Sequence, residues 1–455
     1  MDKKPFYITT TLPYVNAPLH LGHAVEFIRA DIIARWKKLE GNDVFFNTGT
    51  DEHGIKIYQA AEKTGKSPKD FVDEYAGDFK KALIAFGISE DAHIVRTTDA
   101  HHEKAAQEFW KICKKNGYIY KKAYKVKYCV GCELEKTDSE LVDGKCPIHP
   151  NLEIEIIDEE NYFFKFSEFQ KPLLTFYKEN KDFVIPDFRF NEIKAFVERG
   201  LEDFSISRLK SKMSWGVPVP DDADHVMYVW FDALVSYISV LGWPEDKKMF
   251  EKFWNKKTPS VQYCGKDNLR QQSAMWQAML MAAGLPNTHT IVVNGFVTAE
   301  GGLKMSKSLG NSVNPIDLVN ECGTDALRYF VAREISPFED SPFTMERFKE
   351  AYNSGLANGL GNLVSRSMKM QTLYGNSFPL ISKDEARNKL HDKDIYHGDF
   401  DRYDLKAVTD HIWNRVQWLD EFIQKTEPYK KIKTNETQAK KDIKELIEKL
   451  WIIAI

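Results

Sequence analysis

The sequence has 455 residues, more than one domain usually holds, so two or three domains with separate cores are expected. Its 63 Lys and Arg against 67 Asp and Glu leave a formal net charge of -4, so any nucleic-acid contact must depend on local patches. The first residues lack an apolar run of signal-peptide length, and no run of about 18 apolar residues occurs, which excludes a transmembrane segment and predicts a cytoplasmic protein.

A strand–helix–strand pattern opens the chain. A β-branched run at residues 7–11 predicts a strand, and a loop with prolines leads into a helical pattern that ends near Leu39, before Gly41. A second strand follows at residues 44–47. Such a βαβ unit predicts a parallel sheet that binds its ligands beyond the carboxyl ends of the strands. The first loop is therefore the place to look for a site.

The rest of the chain divides into further segments. Helical periodicity runs over residues 67–116, and strands at 225–231 and 261–264 predict that the sheet resumes there. Residues after 346 carry helical patterns only. The predicted parts are a Rossmann-type first half, a connective insertion, a Rossmann-type second half, a loop-bearing region, and an α-helical domain: residues 1–116, 117–225, 226–290, 291–350 and 351–455.

Two histidines flank the start of the first helix, in the string His20-Leu21-Gly22-His23. They stand at i and i+3, so both imidazoles can face an anion at the helix N-terminus, where free N–H groups favour phosphate. Gly22 lets a nucleotide approach the backbone closely. An H-x-G-H string alone is weak evidence for a binding site, but its position in the first βα loop favours a nucleotide site.

A glycine-hinged loop at residues 301–308 (GGLKMSKS) carries Lys304 and Lys307, three apart and flanked by hydroxyls. Such a loop can swing onto a triphosphate. A solvated surface loop is the alternative for any pair of lysines. Here the two motifs occur in one chain, in an order that places strands of a sheet between them.

Three of the six cysteines fall within one short segment, followed by a histidine. Cys129 and Cys132 form a C-x-x-C pair, and Cys146 and His149 follow after thirteen residues. Three thiolates and one imidazole suit a tetrahedral ion, and because the protein supplies all four ligands, the sequence predicts a structural zinc site.

The two loop motifs resemble the signature motifs of class I aminoacyl-tRNA synthetases. Within that class the sequence is most similar to the methionyl-tRNA synthetase family. The similarity extends across nearly the whole chain and is carried by residues 12–16 (LPYVN), 49–54 (GTDEHG), 215–220 (WGVPVP), 228–233 (YVWFDA) and 361–366 (GNLVSR).

The resemblance implies an enzyme that activates L-methionine with ATP and transfers it to tRNA(Met). The chemistry of triphosphates predicts that Mg²⁺ accompanies the ATP. His20, His23, Lys304, Lys307 and Arg208 would then be catalytic, with Gly22, Gly265 and Asp267 also at the ATP. Asp51 would meet the α-ammonium, and the family assigns the side-chain pocket to Leu12, Tyr14, Trp230, Ala233, Tyr237, Gln272 and Trp276. Asn362, Arg366 and Tyr429 would contact the anticodon, and the loop-bearing region at residues 291–350 would contact the tRNA stem.

One departure affects the pocket. The family usually has histidine at the position of Gln272 and proline at that of Gln277. A glutamine side chain can still donate a hydrogen bond at the same distance from the backbone as a histidine, so methionine stays the favoured substrate. The insertion is too short for the editing domain that branched aliphatic substrates need, which disfavours leucine, isoleucine and valine.

Three other functions stay open at this point. They are a small class I nucleotidyltransferase, a zinc-stabilised RNA-binding protein without catalysis, and a synthetase for cysteine. The helical C-terminal region disfavours the first, and the paired histidines and lysines disfavour the second. Cysteine activation would place zinc at the amino acid itself and not in an insertion. We expect the enzyme to act as a monomer.

Overall fold

The computed structural model describes residues 3–132, 134–303, 305, 313–375, 377–389 and 393–455. These residues form two compact units, Met1–Asn294 and Gly295–Ile455. No helix in the described ranges combines the length and the apolarity needed to cross a membrane.

The first unit contains twelve strands in its described part. In chain order they are β1 (Pro5–Thr9), β2 (Asp43–Thr50), β3 (His93–Arg96), β4 (Ile119–Cys129), β5 (Leu134–Lys136), β6 (Glu155–Phe164), β7 (Val184–Ile185), β8 (Phe204–Ser205), β9 (Ser207–Leu209), β10 (His225–Met227), β11 (Ser260–Gly265) and β12 (Thr290–Asn294).

Ten α-helices accompany these strands. They are α1 (Leu21–Leu39), α2 (Ile55–Thr64), α3 (Pro68–Ala85), α4 (Ala100–Lys115), α5 (Gln170–Glu179), α6 (Asp187–Glu198), α7 (Val229–Ala233), α8 (Ser236–Ser239), α9 (Lys247–Phe253) and α10 (Trp276–Ala283). A π-helical turn, Gln271–Met275, leads directly into α10.

A six-stranded parallel sheet forms the centre of the unit, in the order β3-β2-β1-β11-β12-β7. Its inner strands are buried nearly throughout, as expected for a parallel sheet covered on both faces. The predicted βαβ unit is confirmed, because β1 pairs with β2 and α1 connects them. The helix ends at Leu39, and the chain turns through Gly41 at φ 89°.

Two secondary-structure predictions were wrong. The continuous helical pattern over residues 67–116 is interrupted by β3, which pairs with β2 at the edge of the sheet. The strand expected over residues 225–231 ends at Met227, and α7 begins at Val229. That short strand pairs antiparallel with β9 and lies outside the central sheet.

A second, antiparallel sheet has the order β5-β4-β6-β8 and falls inside the range predicted as an insertion. The same range also contains β7, which pairs with β12 of the central sheet. Residues 184–185 thus belong to the central sheet and not to a separate insertion.

The described part of the second unit is mainly helical. It contains β13 (Val297–Thr298), α11 (Pro315–Cys322), α12 (Thr324–Arg333), β14 (Ser341–Pro342), α13 (Met345–Ala351), α14 (Asn362–Tyr374), α15 (Lys383–Lys389), α16 (Lys393–Asp401), α17 (Leu405–Thr426), α18 (Pro428–Lys431) and α19 (Glu436–Ala454). Apolar faces of α14, α17 and α19 share one core, with Leu363, Leu419 and Leu446 nearly inaccessible. This confirms the helical C-terminal prediction.

Candidate active site

The carboxyl ends of the central strands carry most of the predicted site residues of the first unit. The loop after β1 contains Leu12, Tyr14 and His20, β2 ends one residue before Asp51, and β11 ends at Gly265, two residues before Asp267. Because these strands are adjacent and parallel, the three loops emerge at the same edge of the sheet.

The His20 and His23 side chains stack at the start of α1. Their ring centroids lie 3.7 Å apart with an interplanar angle of 18°. The His20 backbone N–H donates to His23 Nδ1 at 3.3 Å, so the proton of a neutral His23 ring resides on Nε2. Burial and the neighbouring His20 hold the pKa of His23 well below its usual value. At neutral pH His23 is therefore an uncharged hydrogen-bond donor.

Two glycines make room for functional side chains. A Cβ atom at Gly22 would lie 3.0 Å from His20 Cε1, and one at Gly265 would lie 2.6 Å from Asp267 Oδ1. A larger residue at Gly265 would displace the Asp267 carboxylate, and one at Gly22 would force the His20 imidazole to shift by a few tenths of an ångström.

Aromatic rings and one amide surround the predicted amino-acid pocket. The rings of Tyr237 and Trp276 meet edge to face at 6.0 Å, and Gln272 Nε2 donates to Tyr237 Oη at 2.5 Å. Ala233 is buried on α7, and Trp230 packs against the same core. The structure therefore brings together Tyr237, Gln272 and Trp276.

Gln277 supports this wall from behind. Its side chain is fully buried, and its Nε2 donates to the Gln272 carbonyl at 2.9 Å and to Thr288 Oγ1 at 3.0 Å. Its Oε1 accepts from the Thr288 N–H at 3.0 Å and from Asn287 Nδ2 at 3.1 Å. The side chain thus ties the π-helical turn to the loop before β12.

Asp51 is buried at the end of β2 and is tied to the first loop through its backbone. Its N–H donates to the Pro13 carbonyl at 3.0 Å, and its carbonyl accepts from the Val15 N–H at 3.3 Å. These bonds align Tyr14 beside Asp51 in a parallel bridge. Leu12 lies half-buried in the same loop.

Arg208 lies on β9 between two aromatic rings. Its guanidinium carbon is 4.9 Å from the Tyr128 ring centroid and 4.8 Å from that of Tyr228. One guanidinium nitrogen also donates to Ser205 Oγ at 2.8 Å. Stacking and hydrogen bonding together fix this buried cation. The same tyrosines belong to a small apolar cluster that includes Tyr14 and Trp230.

The four predicted metal ligands form one cluster. The ligand atoms of Cys129, Cys132, Cys146 and His149 all lie within 4.8 Å of one another. The Cys132 Sγ is 3.5 Å from the Cys146 Sγ and 3.3 Å from His149 Nδ1, and the Cys129 Sγ is 3.8 Å from His149 Nδ1. Ligand bonds of about 2.3 Å to sulfur and about 2.05 Å to nitrogen imply tetrahedral edges of about 3.8 and 3.6 Å. The cluster has the dimensions of a tetrahedral metal site.

The two lysines of the glycine-hinged loop, Lys304 and Lys307, lie outside the described residues. In the second unit, Asn362 begins α14 and is exposed, and Arg366 lies one turn further and contacts Asp420 at 2.7 Å. Tyr429, on α18, is 40% exposed. All three side chains can therefore reach a partner molecule.

Sequence reasoning missed Glu26, a buried carboxyl on α1. The backbone N–H and the hydroxyl of Thr11 both donate to its Oε1, at 2.6 and 2.5 Å. Burial, together with the nearby Asp267, raises the pKa of Glu26 to about 8 against these hydrogen bonds. Its position three residues after His23 was the one available signal.

Sequence reasoning also missed a buried cluster of His53, His102 and Asp232. The Asp232 carboxylate contacts His53 Nδ1 at 2.6 Å and His102 Nε2 at 2.8 Å. His53 and Asp232 belong to strings used above as family markers, but nothing in the sequence pairs them.

Comparisons with known proteins identify the family of this chain. A family model described as tRNA synthetases class I (M) matches residues 6–153 and 150–368. The methionine–tRNA ligase of Thermotoga maritima is 42% identical over 434 residues, which cover 93% of this chain and 68% of that protein. The enzyme of the same name from Clostridium acetobutylicum is 40% identical, over 100% of this chain and 71% of that protein.

Among solved structures, Mycobacterium tuberculosis methionyl-tRNA synthetase in complex with methionyl-adenylate superimposes with a TM-score of 0.89 at 35% identity. The match covers 99% of this chain and 89% of that one. The chain belongs to the methionine–tRNA ligase family of class I aminoacyl-tRNA synthetases.

Proposed function

We propose that this protein activates L-methionine with ATP and transfers the methionyl group to the 3' end of tRNA(Met). One observation carries the proposal: in a member of this family, the histidine pair, Asp51 and Asp267 all emerge at one edge of a parallel sheet. Such an edge is the usual ligand site of open α/β sheets.

In the first step a methionine carboxylate oxygen attacks the α-phosphorus of ATP. The new oxygen–phosphorus bond forms while the bond to the β-phosphate breaks, and pyrophosphate leaves with its electron pair. Such a step needs positioning and stabilisation of charge on the phosphates more than covalent chemistry. His20 and His23 would donate hydrogen bonds, Lys304 and Lys307 would supply positive charge, and Arg208 would act near the substrates.

In the second step a hydroxyl of the terminal tRNA ribose attacks the carbonyl carbon of methionyl-adenylate. An ester bond forms, AMP leaves, and the hydroxyl proton is released. Asn362, Arg366 and Tyr429 would select the tRNA at its anticodon through hydrogen bonds and stacking, as single-stranded bases are usually read.

The pocket offers groups suited to each part of methionine. Asp51 would pair with the α-ammonium, and Asp267 would hold the ATP ribose. Tyr237 and Trp276 present rings to a thioether, and sulfur–aromatic contacts contribute about 0.3 to 1.5 kcal/mol each. Tyr237 accepts its hydrogen bond from Gln272, which leaves the phenol proton free to point elsewhere.

The cysteine cluster would hold one Zn²⁺. Three sulfurs and one imidazole nitrogen fill a tetrahedron, which leaves no position for water and therefore indicates a structural ion. The ion would fix the loops that surround it. Mg²⁺ would accompany ATP because the triphosphate requires charge neutralisation. A cytoplasmic location and a monomeric state complete the proposal, together with the five domain ranges given above, except that residues 184–185 belong to the central sheet.

Amino-acid-dependent exchange of pyrophosphate into ATP, measured with all twenty amino acids, tests the activation step. Exchange with methionine alone is the expected result. His23→Ala should lower kcat by about 10²- to 10³-fold, as the loss of one charge-stabilising donor does. His289→Asn, an exposed histidine outside the site, is the control. Exchange with a different amino acid, or with none, would contradict the proposed substrate.

A further inference from the structure

A buried row of polar side chains connects four segments of the first unit. Asp232, on α7, is fully buried and contacts two imidazoles, His53 in the loop before α2 and His102 on α4. His102 Nδ1 in turn lies 2.9 Å from Ser239 Oγ on α8. The row therefore joins the end of the second strand to three helices.

The two imidazoles of the row stabilise a buried carboxylate. Burial alone would raise the pKa of Asp232, but His53 and His102 hold it at about 2. Burial alone would lower the pKa of His53, but Asp232 raises it above its usual value, and Glu103 and Glu52 add to this effect. At neutral pH the carboxylate is thus charged, and its negative charge stabilises the protonated form of His53.

Each segment joined by the row except α4 also carries a residue of the proposed methionine pocket. Asp51 is two residues before His53, Trp230 and Ala233 flank Asp232 on α7, and Tyr237 lies on α8. Resting on the proposed function, we propose that His53, Asp232 and His102 are positioning residues that hold the Asp51 loop in register with the aromatic wall of the pocket.

The two residues after Asp51, Glu52 and His53, hold the Asp51 loop through contacts on opposite sides. Glu52 turns away from the pocket, where its two carboxylate oxygens accept from Arg96 at 2.7 and 2.8 Å. The Glu52 carbonyl accepts from Trp215 Nε1 at 2.6 Å, and the Trp215 ring meets His53 edge to face. The loop is therefore held on one side by Arg96 and on the other by Asp232. Of these two contacts, only the one with Asp232 connects the loop to a helix of the pocket, α7.

The test compares the KM for methionine with the KM for ATP in pyrophosphate exchange. His53→Ala removes the link between the loop and α7, so the KM for methionine should rise by on the order of 10- to 100-fold, the cost of a small misplacement. The KM for ATP should stay within about twofold, which a general loss of structure would not allow. Asp232→Asn, which alters the other partner of the contact, should likewise raise the KM for methionine and leave the KM for ATP unchanged. His289→Asn is the control and should change neither constant.

A pH profile gives a second readout, which stands even if His53→Ala does not fold. The groups facing His53 are Asp232, Glu103 and Glu52. Its raised pKa means that the ion pair is complete at low pH and is lost as pH rises through that pKa, so the KM for methionine should rise with pH. His53→Asn keeps a donor near the Nδ1 position without titrating. Its KM should be intermediate and should lose this pH-dependent rise.

These results separate the inference from the proposed function. Failure of the unaltered protein to exchange with methionine would overturn the function itself. Normal exchange together with an unchanged methionine KM in the folded His53 and Asp232 variants would overturn only the positioning role. Equal changes in both Michaelis constants would do the same, because they would indicate a structural effect on the whole site.

Discussion

Gly131, between the first two cysteines of the metal cluster, provides a sharp test of the proposed zinc site. A Cβ atom there would lie 2.4 Å from His149 Cγ and 2.7 Å from its Nδ1, the ligand atom. Carbon atoms in contact are normally about 3.5 to 4.0 Å apart. Gly131→Ala therefore forces the imidazole to move by about 1 Å.

Such a movement is large for a metal ligand, whose bond length tolerates about 0.2 Å. Changes that misorient a ligand cost on the order of 10- to 100-fold in metal affinity. That range corresponds to about 1.4 to 2.7 kcal/mol of binding free energy. We expect Gly131→Ala to bind Zn²⁺ more weakly by this amount.

Competition for Zn²⁺ against a chromophoric chelator measures the affinity, and thermal unfolding with and without chelator measures its effect on folding. Gly77→Ala is the matched control, because a Cβ atom at Gly77, on α3, meets nothing within 4 Å. That variant should bind zinc as the unaltered protein does. Equal zinc affinity in Gly131→Ala would refute the assignment of His149 as a ligand.

Three further variants test other parts of the structure. Because the pKa of Glu26 is raised from 4.5 to about 8, the folded state binds the extra proton. Glu26 therefore makes the unfolding free energy fall as pH rises between these values, by at most about 1.4 kcal/mol per unit, and Glu26→Gln should remove that slope in urea unfolding. Gln277→Leu leaves the buried Thr288 N–H without its acceptor, so it should lower the unfolding free energy by about 1 to 3 kcal/mol, and an unchanged urea midpoint would contradict this. Arg366→Ala should weaken tRNA binding by about 1 to 3 kcal/mol in aminoacylation assays and leave pyrophosphate exchange unchanged, whereas Lys369→Ala on the same helix should affect neither.

The sequence was most informative where local signals agreed. β-branched residues, a proline-rich loop, a helical period and Gly41 together predicted the first βαβ unit, and the structure contains it with α1 ending at Leu39. The cysteine spacing likewise predicted a four-ligand cluster. Both patterns depend on neighbours within one segment of chain, which periodicity and spacing can report.

The errors have physical causes. The strand β3 has four residues at the edge of the sheet and only one of them is buried, so it gives little alternation to detect. The run at residues 225–231 is buried throughout except at Trp230, and a continuous apolar run does not distinguish a strand from a short buried helix. The strand β7 has only two residues. Each assignment depends on pairing with distant chain, which periodicity does not encode.

The same limit applied to the site. Single strings identified His20, Asp51 and Trp230 by resemblance, but the contact between His53 and Asp232 joins residues 179 positions apart. No spacing rule connects such residues, because the sheet and α4 bring them together. Side chains that support a site from behind are therefore harder to find from sequence than those that face it.

Gln272, which stands where the family usually has histidine, illustrates how such support can preserve a site. Gln272 keeps a donor on Tyr237, at 2.5 Å, and Gln277 holds the Gln272 backbone through a buried amide that proline could not provide. The two glutamines therefore act as a pair, one facing the pocket and the other fixing the π-helical turn. Because neither side chain titrates, the hydrogen bond to Tyr237 persists across the physiological pH range. Near the pocket, His53 and Glu26 both have raised pKa values, so we expect any pH dependence of methionine binding to originate at these two side chains or at the charged groups of the substrate.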